Sequence, residues 1–302
     1  MIRTRPPFHL FVILLAILAA IGVFCPVHAA PVAVPSAAAP RFTVEVTGQG
    51  PDVILIPGLA SSSTVWDDTV RQLKGRYRLH VIQVAGFAGA PAGANAEGPV
   101  IQPTVDALDG YIRSAGLKSP AVIGHSMGGL MGLMLARQHP EDVGRLMVVD
   151  SLPFYAMVFS PQATVETVKP QAAAMRDRTI AAAPEAWASM ETAMMARLVK
   201  SPEGLKSATA AAIASDRSVV ARALYDDLTT DLRGEIASIK TPTTMLYPWD
   251  PATAPQAAFD QLYTGAYAPM TQAKLKRVDG SYHFIMLDQP AAFAVEVETF
   301  LK

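Results

Sequence analysis

The chain has 302 residues and is close to neutral, with 25 lysine and arginine residues against 26 aspartate and glutamate residues. Its one cysteine is Cys25, and it has no run of basic residues. This composition excludes a disulfide framework and a paired-cysteine metal site, and it argues against a nucleic-acid partner. A Gly-x-x-x-x-Gly-Lys phosphate loop is also missing, so no cofactor is implied.

Residues 1–29 have the pattern of a secretory signal peptide. Arg3 and Arg5 precede an apolar stretch over 10–24, and Val27-His28-Ala29 has the small residues that precede a cleavage site. The apolar stretch is short for a membrane span, although an uncleaved anchor is the alternative. We therefore expect an exported protein, periplasmic or secreted, with no stable membrane insertion after cleavage.

The rest of the chain divides into an Ala/Pro-rich spacer over 30–40 and one domain over 41–302. In the domain, strand-like runs alternate with helical runs, which predicts an α/β fold with a mainly parallel central sheet and helices on both faces. Helices are predicted at about 64–74, 102–115, 127–138 and 290–301. The strand-like runs cover 42–47, 53–57, 78–84, 121–125, 145–150, 243–247 and 273–278.

A Gly-x-Ser-x-Gly pattern follows the fourth strand-like run, at Gly124-His125-Ser126-Met127-Gly128. A serine held out on a sharp strand-to-helix turn needs small neighbours, and Gly124, Gly128 and Gly129 provide them. A serine at this point could also be no more than a helix N-cap. Glycines on both sides exceed what a helix N-cap needs, so we interpret Ser126 as a nucleophile. We interpret His125, its neighbour on the turn, as a packing residue.

Some ninety residues between Asp150 and Thr241 contain no convincing strand and are rich in alanine and methionine. They predict a helical cap over about 152–240, inserted before the strand-like run 243–247, which leads to the candidate catalytic acid Asp250. Large apolar side chains there would line a substrate pocket or form the core of the cap itself. These side chains are Phe154, Tyr155, Met157, Phe159, Met175, Trp187, Met190, Met194 and Met195.

An acid and a histidine follow the serine in chain order, each just after a strand-like run. Asp250 follows 243–247, and His283 lies on a loop after 273–278 and before the last helix. His283 would take the proton of Ser126, and a carboxylate would orient its ring. We assign that carboxylate to Asp250, with Asp150 as the alternative because it also ends a strand. Asp279 is interpreted as a turn residue.

These motifs together resemble the α/β-hydrolase superfamily from about residue 42 to the C-terminus. The resemblance includes Pro57-Gly58-Leu59 with Trp66, the serine turn, Asp250, and the loop from Gly280 to Pro290. It implies an α/β-hydrolase fold and an oxyanion hole built from the backbone N–H groups of Leu59 and Met127. The chain departs from many members by having Pro57-Gly58 in place of His-Gly.

The function predicted from these features is an exported serine hydrolase that cleaves a carboxylic ester through an acyl-enzyme. The catalytic residues would be Ser126, His283 and Asp250, acting on a small, partly apolar ester without cofactor or metal. An amidase or a lactonase would use the same three residues. A non-catalytic protein of this fold that binds a hydrophobic ligand is the alternative from another class.

Overall fold

A computed structural model of the chain describes residues 39–302. The predicted signal peptide over 1–29 lies outside the described residues, as does the predicted spacer except for its last two residues. Within the described residues, no helix combines the length and the apolar character needed to cross a membrane.

Seven strands form one sheet in the order β1-β3-β2-β4-β5-β6-β7. β1 pairs with β3 in antiparallel orientation, and all other neighbours are parallel. The parallel strands bring their carboxyl ends to one edge of the sheet, which is where ligands bind in folds of this type. The strands are β1 (Phe42–Gly48), β2 (Asp52–Ile56), β3 (Arg78–Val84), β4 (Ala121–His125), β5 (Arg145–Val149), β6 (Thr243–Trp249) and β7 (Ala273–Asp279).

The apolar character of the central strands explains their position. The last four residues of β2 and of β5 are all completely buried, as expected for strands covered by helices on both faces. The edge strand β1 is only partly buried and carries polar residues at alternate positions. The α/β class and the mainly parallel sheet predicted from the sequence are therefore confirmed.

Helices cover the sheet on both faces. α3 is apolar almost throughout, and its residues from Met127 to Ala136 are all buried, so it packs in the interior. The helices are α1 (Asp67–Leu73), α2 (Ile101–Ser114), α3 (Met127–Gln138), α4 (Val165–Ala181), α5 (Pro184–Leu198), α6 (Pro202–Ala214), α7 (Arg217–Thr229), α8 (Gln256–Tyr267), α9 (Ile285–Asp288) and α10 (Pro290–Leu301).

Four of these helices, α4 to α7, lie between β5 and β6 and are called the cap below. α4 packs against α7, and α5 packs against α6. Trp187 of α5 is buried, and its indole N–H donates to the carbonyl of Ile213 at the end of α6, 3.2 Å away. The cap also joins the main hydrophobic core, since Val219 and Met195 belong to it.

Candidate active site

Ser126 lies on the turn between β4 and α3, in a backbone conformation that L-residues seldom adopt. Its φ is +53° and its ψ is −123°. The turn is held by the amide of Ser126, which donates to the carbonyl of Val149 on β5, 2.9 Å away. A Cβ atom on Gly124 would lie 2.2 Å from the carbonyl oxygen of Gly128, so only glycine allows the chain to turn here. Such local strain is typical of functional sites.

His283 lies on the loop between β7 and α9, and its ring contacts Asp150 at the carboxyl end of β5. Nδ1 of His283 is 2.5 Å from Oδ2 of Asp150. Because an ionised carboxylate can only accept hydrogen bonds, Nδ1 carries the proton and Nε2 is left as the basic nitrogen. Both His283 and Ser126 line the same cavity. The tautomer with the proton on Nδ1 of His283 is the one that general-base catalysis on a serine requires.

The Asp150 carboxylate is held by a second donor that the sequence did not reveal. The hydroxyl of Tyr263, on α8, donates to the other carboxylate oxygen, Oδ1. Burial raises the pKa of Tyr263 well above its usual value, and the charge of Asp150 raises it further, so the hydroxyl stays protonated. Asp150 is itself buried, with 8% of its surface exposed. Both carboxylate oxygens therefore have a donor, as a buried charge requires.

The assignment of Asp250 as the partner of His283 is wrong in this structure. Asp250 does follow β6, as predicted, but its Oδ2 atom lies 2.6 Å from Nζ of Lys200, and its Oδ1 accepts from the amide of Ala252, 2.9 Å away. The hydrogen bond from Lys200 lowers the pKa of Asp250. The alternative considered from the sequence, Asp150, occupies the position beside His283. The cap was expected to precede the strand that carries the acid. Because Asp150 follows β5, the cap instead follows that strand.

His125, the residue before the serine, is completely buried beneath His283. Its Nε2 donates to the carbonyl oxygen of His283, 3.1 Å away, and the two ring centroids are 4.5 Å apart. Burial lowers the pKa of His125 well below its usual value, and a charge on His283 would lower it further. His125 is therefore neutral and supports the loop that carries His283, in line with its predicted packing role.

The two segments predicted to supply the oxyanion hole both adjoin Ser126. A Cβ atom on Gly58 would lie 3.1 Å from Cβ of Ser126, so the chain before Leu59 passes directly beside the serine. Leu59 lines the cavity, and Met127 is the first residue of α3, where helix N–H groups lack partners within the helix. Neither amide donates to a turn or loop acceptor within residues 39–302. Their role in binding an oxyanion stays a prediction.

A cavity of about 440 Å³ lies between the cap and the carboxyl edge of the sheet, and Ser126 is among the residues that line it. Six of the nine large apolar residues proposed for the cap line this cavity: Tyr155, Met175, Trp187, Met190, Met194 and Met195. Phe154 instead packs into a small separate core, and Phe159 is 67% exposed. The cavity is thus mainly apolar on the cap side and polar at the serine.

Two acidic side chains of the cap also line the cavity, and sequence reasoning did not single them out. Burial raises the pKa of Glu191, on α5, to about 7. Burial likewise raises the pKa of Asp227, on α7, to about 7, while the charge of His283 opposes that rise. The sequence does contain a signal that could have identified Asp227 as a cavity residue. Asp227 lies at helical spacing from Val220 and Leu224, on an otherwise apolar stripe.

A cluster of possible metal ligands lies away from this cavity, at Asp109, His139 and Asp142. Arg113 already occupies the cluster, with Nε 3.0 Å from Oδ1 of Asp109 and Nη2 3.1 Å from Oδ2 of Asp142. The guanidinium supplies the positive charge that a cation would bring. We interpret the group as an ion-pair network that joins α2 to the end of α3.

Known proteins resemble this chain in family and in fold. The model of the alpha/beta hydrolase family matches residues 53–297. Among curated proteins, the chain is 34% identical over 115 residues to a pimeloyl-[acyl-carrier protein] methyl ester esterase of Nitrosomonas europaea. That match covers 37% of this chain and 42% of the relative, so it spans less than half of the relative's length. A protein of the same name from Aromatoleum aromaticum is 26% identical over 264 residues, covering 83% of this chain and 98% of the relative.

Solved structures share the fold at lower sequence identity. A thermophilic esterase from Thermogutta terrifontis aligns with a TM-score of 0.72 and 19% identity, covering 86% of this chain and 92% of that chain. The enol-lactonase from Burkholderia xenovorans aligns with a TM-score of 0.69 and 20% identity, covering 86% and 96%. At this identity the likeness shows the fold alone. The family match, which extends over most of the described residues, shows that the chain belongs to the alpha/beta hydrolase family.

Proposed function

We propose that the protein is a serine hydrolase that cleaves a carboxylic ester through an acyl-enzyme, with Ser126, His283 and Asp150 as its catalytic residues. The observation that carries the proposal is the 2.5 Å contact between Nδ1 of His283 and Oδ2 of Asp150, at a cavity that Ser126 also lines. It leaves Nε2 of His283 available as a base. A histidine with a merely structural role would not need a buried carboxylate that is itself held by Tyr263.

The reaction follows from these positions. Nε2 of His283 takes the hydroxyl proton while Oγ of Ser126 attacks the ester carbonyl carbon, and the amides of Leu59 and Met127 bind the resulting oxyanion. The tetrahedral intermediate then expels the alcohol, which receives the proton from His283, and an acyl-Ser126 ester remains. Water attacks this ester with His283 again as base, which releases the carboxylic acid and the free serine.

The choice of an ester over other acyl compounds is supported by the relatives and by the cavity. The curated relatives are named for a methyl ester, and a compact mainly apolar cavity suits a small ester group. We therefore propose short to medium methyl or alkyl esters as substrates. The partly apolar character of the substrate follows from the methionine and tryptophan side chains of the cap.

A fluorophosphonate probe tests the nucleophile without knowledge of the substrate. The wild-type protein should gain the mass of one adduct, and Ser126→Ala should gain none. His283→Ala should slow labelling by orders of magnitude, while Ser189→Ala, on the exposed side of α5, is the matched control and should label at the wild-type rate. A folded wild-type protein that does not label would contradict the proposal and favour the non-catalytic ligand-binding alternative.

A panel of methyl esters, matched amides and lactones then tests the bond that is cleaved. We expect ester hydrolysis that disappears in Ser126→Ala. Faster turnover of the amide or the lactone than of the ester of equal chain length would instead move the protein to the amidase or lactonase class, which uses the same three residues.

We also propose that residues 1–29 direct export and are removed. The support is the arrangement of Arg3, Arg5, the apolar stretch and Val27-His28-Ala29. Intact mass of the protein recovered from the periplasm or medium of a bacterial host should correspond to a chain that begins at Ala30. Recovery of the full-length chain from the membrane fraction would favour the uncleaved anchor.

A further inference from the structure

Asp227 faces the candidate active site from the cap. It lies on α7, seven residues after Val220 and three after Leu224, and the spacing places all three on one helix face. All three line the cavity that Ser126 and His283 line. The acid therefore interrupts an apolar wall of the substrate cavity.

The Asp227 carboxyl has no partner among the residues that the structure describes. The residue is 93% buried, since 7% of its surface is exposed, and within residues 39–302 it has no hydrogen bond or ion pair. The preceding residue, Asp226, behaves differently, because its Oδ2 accepts from the amides of Val100 at 2.6 Å and Ile101 at 3.1 Å. Asp226 is thus explained by its contacts within the fold, whereas Asp227 is not.

A carboxyl without a protein partner in the wall of a mainly apolar cavity is costly to the fold, and a ligand group that hydrogen-bonds to it offsets that cost. The charged and titratable groups around it are His283 on the catalytic loop, Asp226 on the same helix, and Tyr155 on the short helix Tyr155–Val158. Burial raises the pKa of Asp227 to about 7, the charge of His283 lowers it and that of Asp226 raises it. Near neutral pH the group is therefore present both as an acid that donates and as a carboxylate that accepts.

A substrate hydroxyl matches both forms, because it donates to a carboxylate and accepts from a carboxylic acid. A substrate carboxylate does not match, because Glu191 lines the same cavity and would add a second like charge. Arg197 is the arginine of the cap that lines the cavity, and it could in principle pair with a substrate carboxylate. It is exposed to solvent near the end of α5, so an ion pair with it would be weak.

We infer that Asp227 is a specificity-determining residue that binds a hydroxyl group on the substrate, and that the preferred substrates are neutral hydroxy-substituted esters. The inference rests on the proposed ester hydrolysis and specifies its substrate class. In this proposal Asp227 contacts the substrate hydroxyl, and proton transfer to and from Ser126 is carried out by His283.

Methyl esters of equal chain length test the inference through release of methanol. The set is methyl hexanoate, methyl 3-hydroxyhexanoate, methyl 6-hydroxyhexanoate and monomethyl adipate, which carries a carboxylate. The variants are Asp227→Asn, Asp227→Leu and, as a matched control, Glu203→Gln, which removes an exposed acid of the cap at the start of α6. Thermal melting of each variant checks that it is folded.

We expect the wild-type protein to prefer one of the hydroxy esters over methyl hexanoate by about tenfold or more in kcat/KM, since a site built to bind a hydroxyl discriminates against its absence. Asp227→Leu should bring this ratio close to one, Asp227→Asn should keep part of it because an amide still binds a hydroxyl, and Glu203→Gln should leave it unchanged.

The inference would be overturned by a wild-type protein with no hydroxy preference, by a preference for monomethyl adipate, or by a preference that survives in Asp227→Leu. An equal loss of kcat/KM on every ester in a folded Asp227→Leu protein would assign the residue a structural role and also overturn it. Failure of the proposed function looks different, because the protein would then hydrolyse none of the esters and would not react with the fluorophosphonate probe.

Discussion

Lys200 binds Asp250 across the junction between the cap and the sheet, with Nζ 2.6 Å from Oδ2. Lys200 follows α5, Asp250 follows β6, and Nζ also donates to the carbonyl of Gly280, 3.3 Å away, on the loop that leads to His283. The carboxylate at the end of β6 is therefore used to hold the cap. Asp150, one strand earlier, is free to face His283.

Replacing each of the two aspartates by asparagine separates their roles. Asp150→Asn should lower kcat by about 10³- to 10⁴-fold, because an amide beside Nδ1 no longer selects the productive tautomer of His283 or stabilises its charged form. Asp250→Asn should change kcat by less than roughly threefold, since it loses only an ion pair with a half-exposed lysine. Steady-state kinetics on a methyl ester measure both. The reverse order of effects would restore Asp250 as the catalytic acid.

Tyr263→Phe removes the second donor to Asp150. We expect kcat to fall by about three- to tenfold and the free energy of unfolding to fall by about 1–3 kcal/mol, because a buried carboxylate oxygen loses its partner. Urea unfolding and kinetics measure the two effects. Tyr247→Phe is the control, since Tyr247 stacks on Tyr263 at 4.7 Å but donates to Asp260. Equal kinetic effects in both variants would show that the effect of Tyr263→Phe does not come from its hydrogen bond to Asp150.

The serine turn should not tolerate a side chain at Gly124. A Cβ atom there would lie 2.2 Å from the carbonyl oxygen of Gly128, a backbone atom that cannot move without opening the turn. Gly124→Ala should cost about 3 kcal/mol or more of stability, or prevent folding. At Gly132 the nearest atom is the end of the flexible Leu146 side chain, so Gly132→Ala should fold with a similar Tm. Thermal melting compares the two variants, and a Gly124→Ala protein as stable as the wild type would show that the turn tolerates a side chain at this position.

Ionisation of Asp227 should lower the stability of the protein as the pH rises from about 4 to about 7. Burial raises its pKa from 3.8 to about 7 in the folded protein, so between these values the folded state binds a proton that the unfolded state has lost. Below about pH 4 Asp227 is protonated in both the folded and the unfolded state, so burying it carries no charge penalty. Above about pH 7 it is ionised in both states, and the full cost of burying the charge is subtracted from the free energy of unfolding.

The comparison of wild type with Asp227→Asn measures this penalty. The asparagine variant should gain stability relative to wild type as the pH rises from 4 to 8, by at most roughly 4 kcal/mol at 1.4 kcal/mol per pKa unit. Urea unfolding at a series of pH values gives the difference. A difference that does not vary with pH would mean that the Asp227 carboxylate is solvated or partnered in the folded protein.

Local patterns in the sequence were enough to predict much of the fold and part of the site. The buried strands β2, β4 and β5 have continuous apolar runs, and the glycines around Ser126 permit a sharp turn there. The position of His283 between a strand and the last helix was also readable, since each of these features depends on residues close together in the chain.

The acid beside His283 could not be chosen in the same way. Asp150 and Asp250 both follow a strand of the parallel sheet, so their carboxylates begin at the same edge and local sequence does not separate them. Contacts more than a hundred residues apart decide between them: Tyr263 and His283 approach Asp150, whereas Lys200 approaches Asp250.

The sequence by itself predicted the family of this protein and singled out Ser126 and His283 as the candidate nucleophile and base, because strand and turn propensities and steric limits act over a few residues. The tertiary structure alone decided which carboxylate completes the site and placed Asp227 in the substrate cavity. The physical reason is that burial and hydrogen bonding of a charged side chain depend on packing between the cap and the sheet, which are separate segments of the chain.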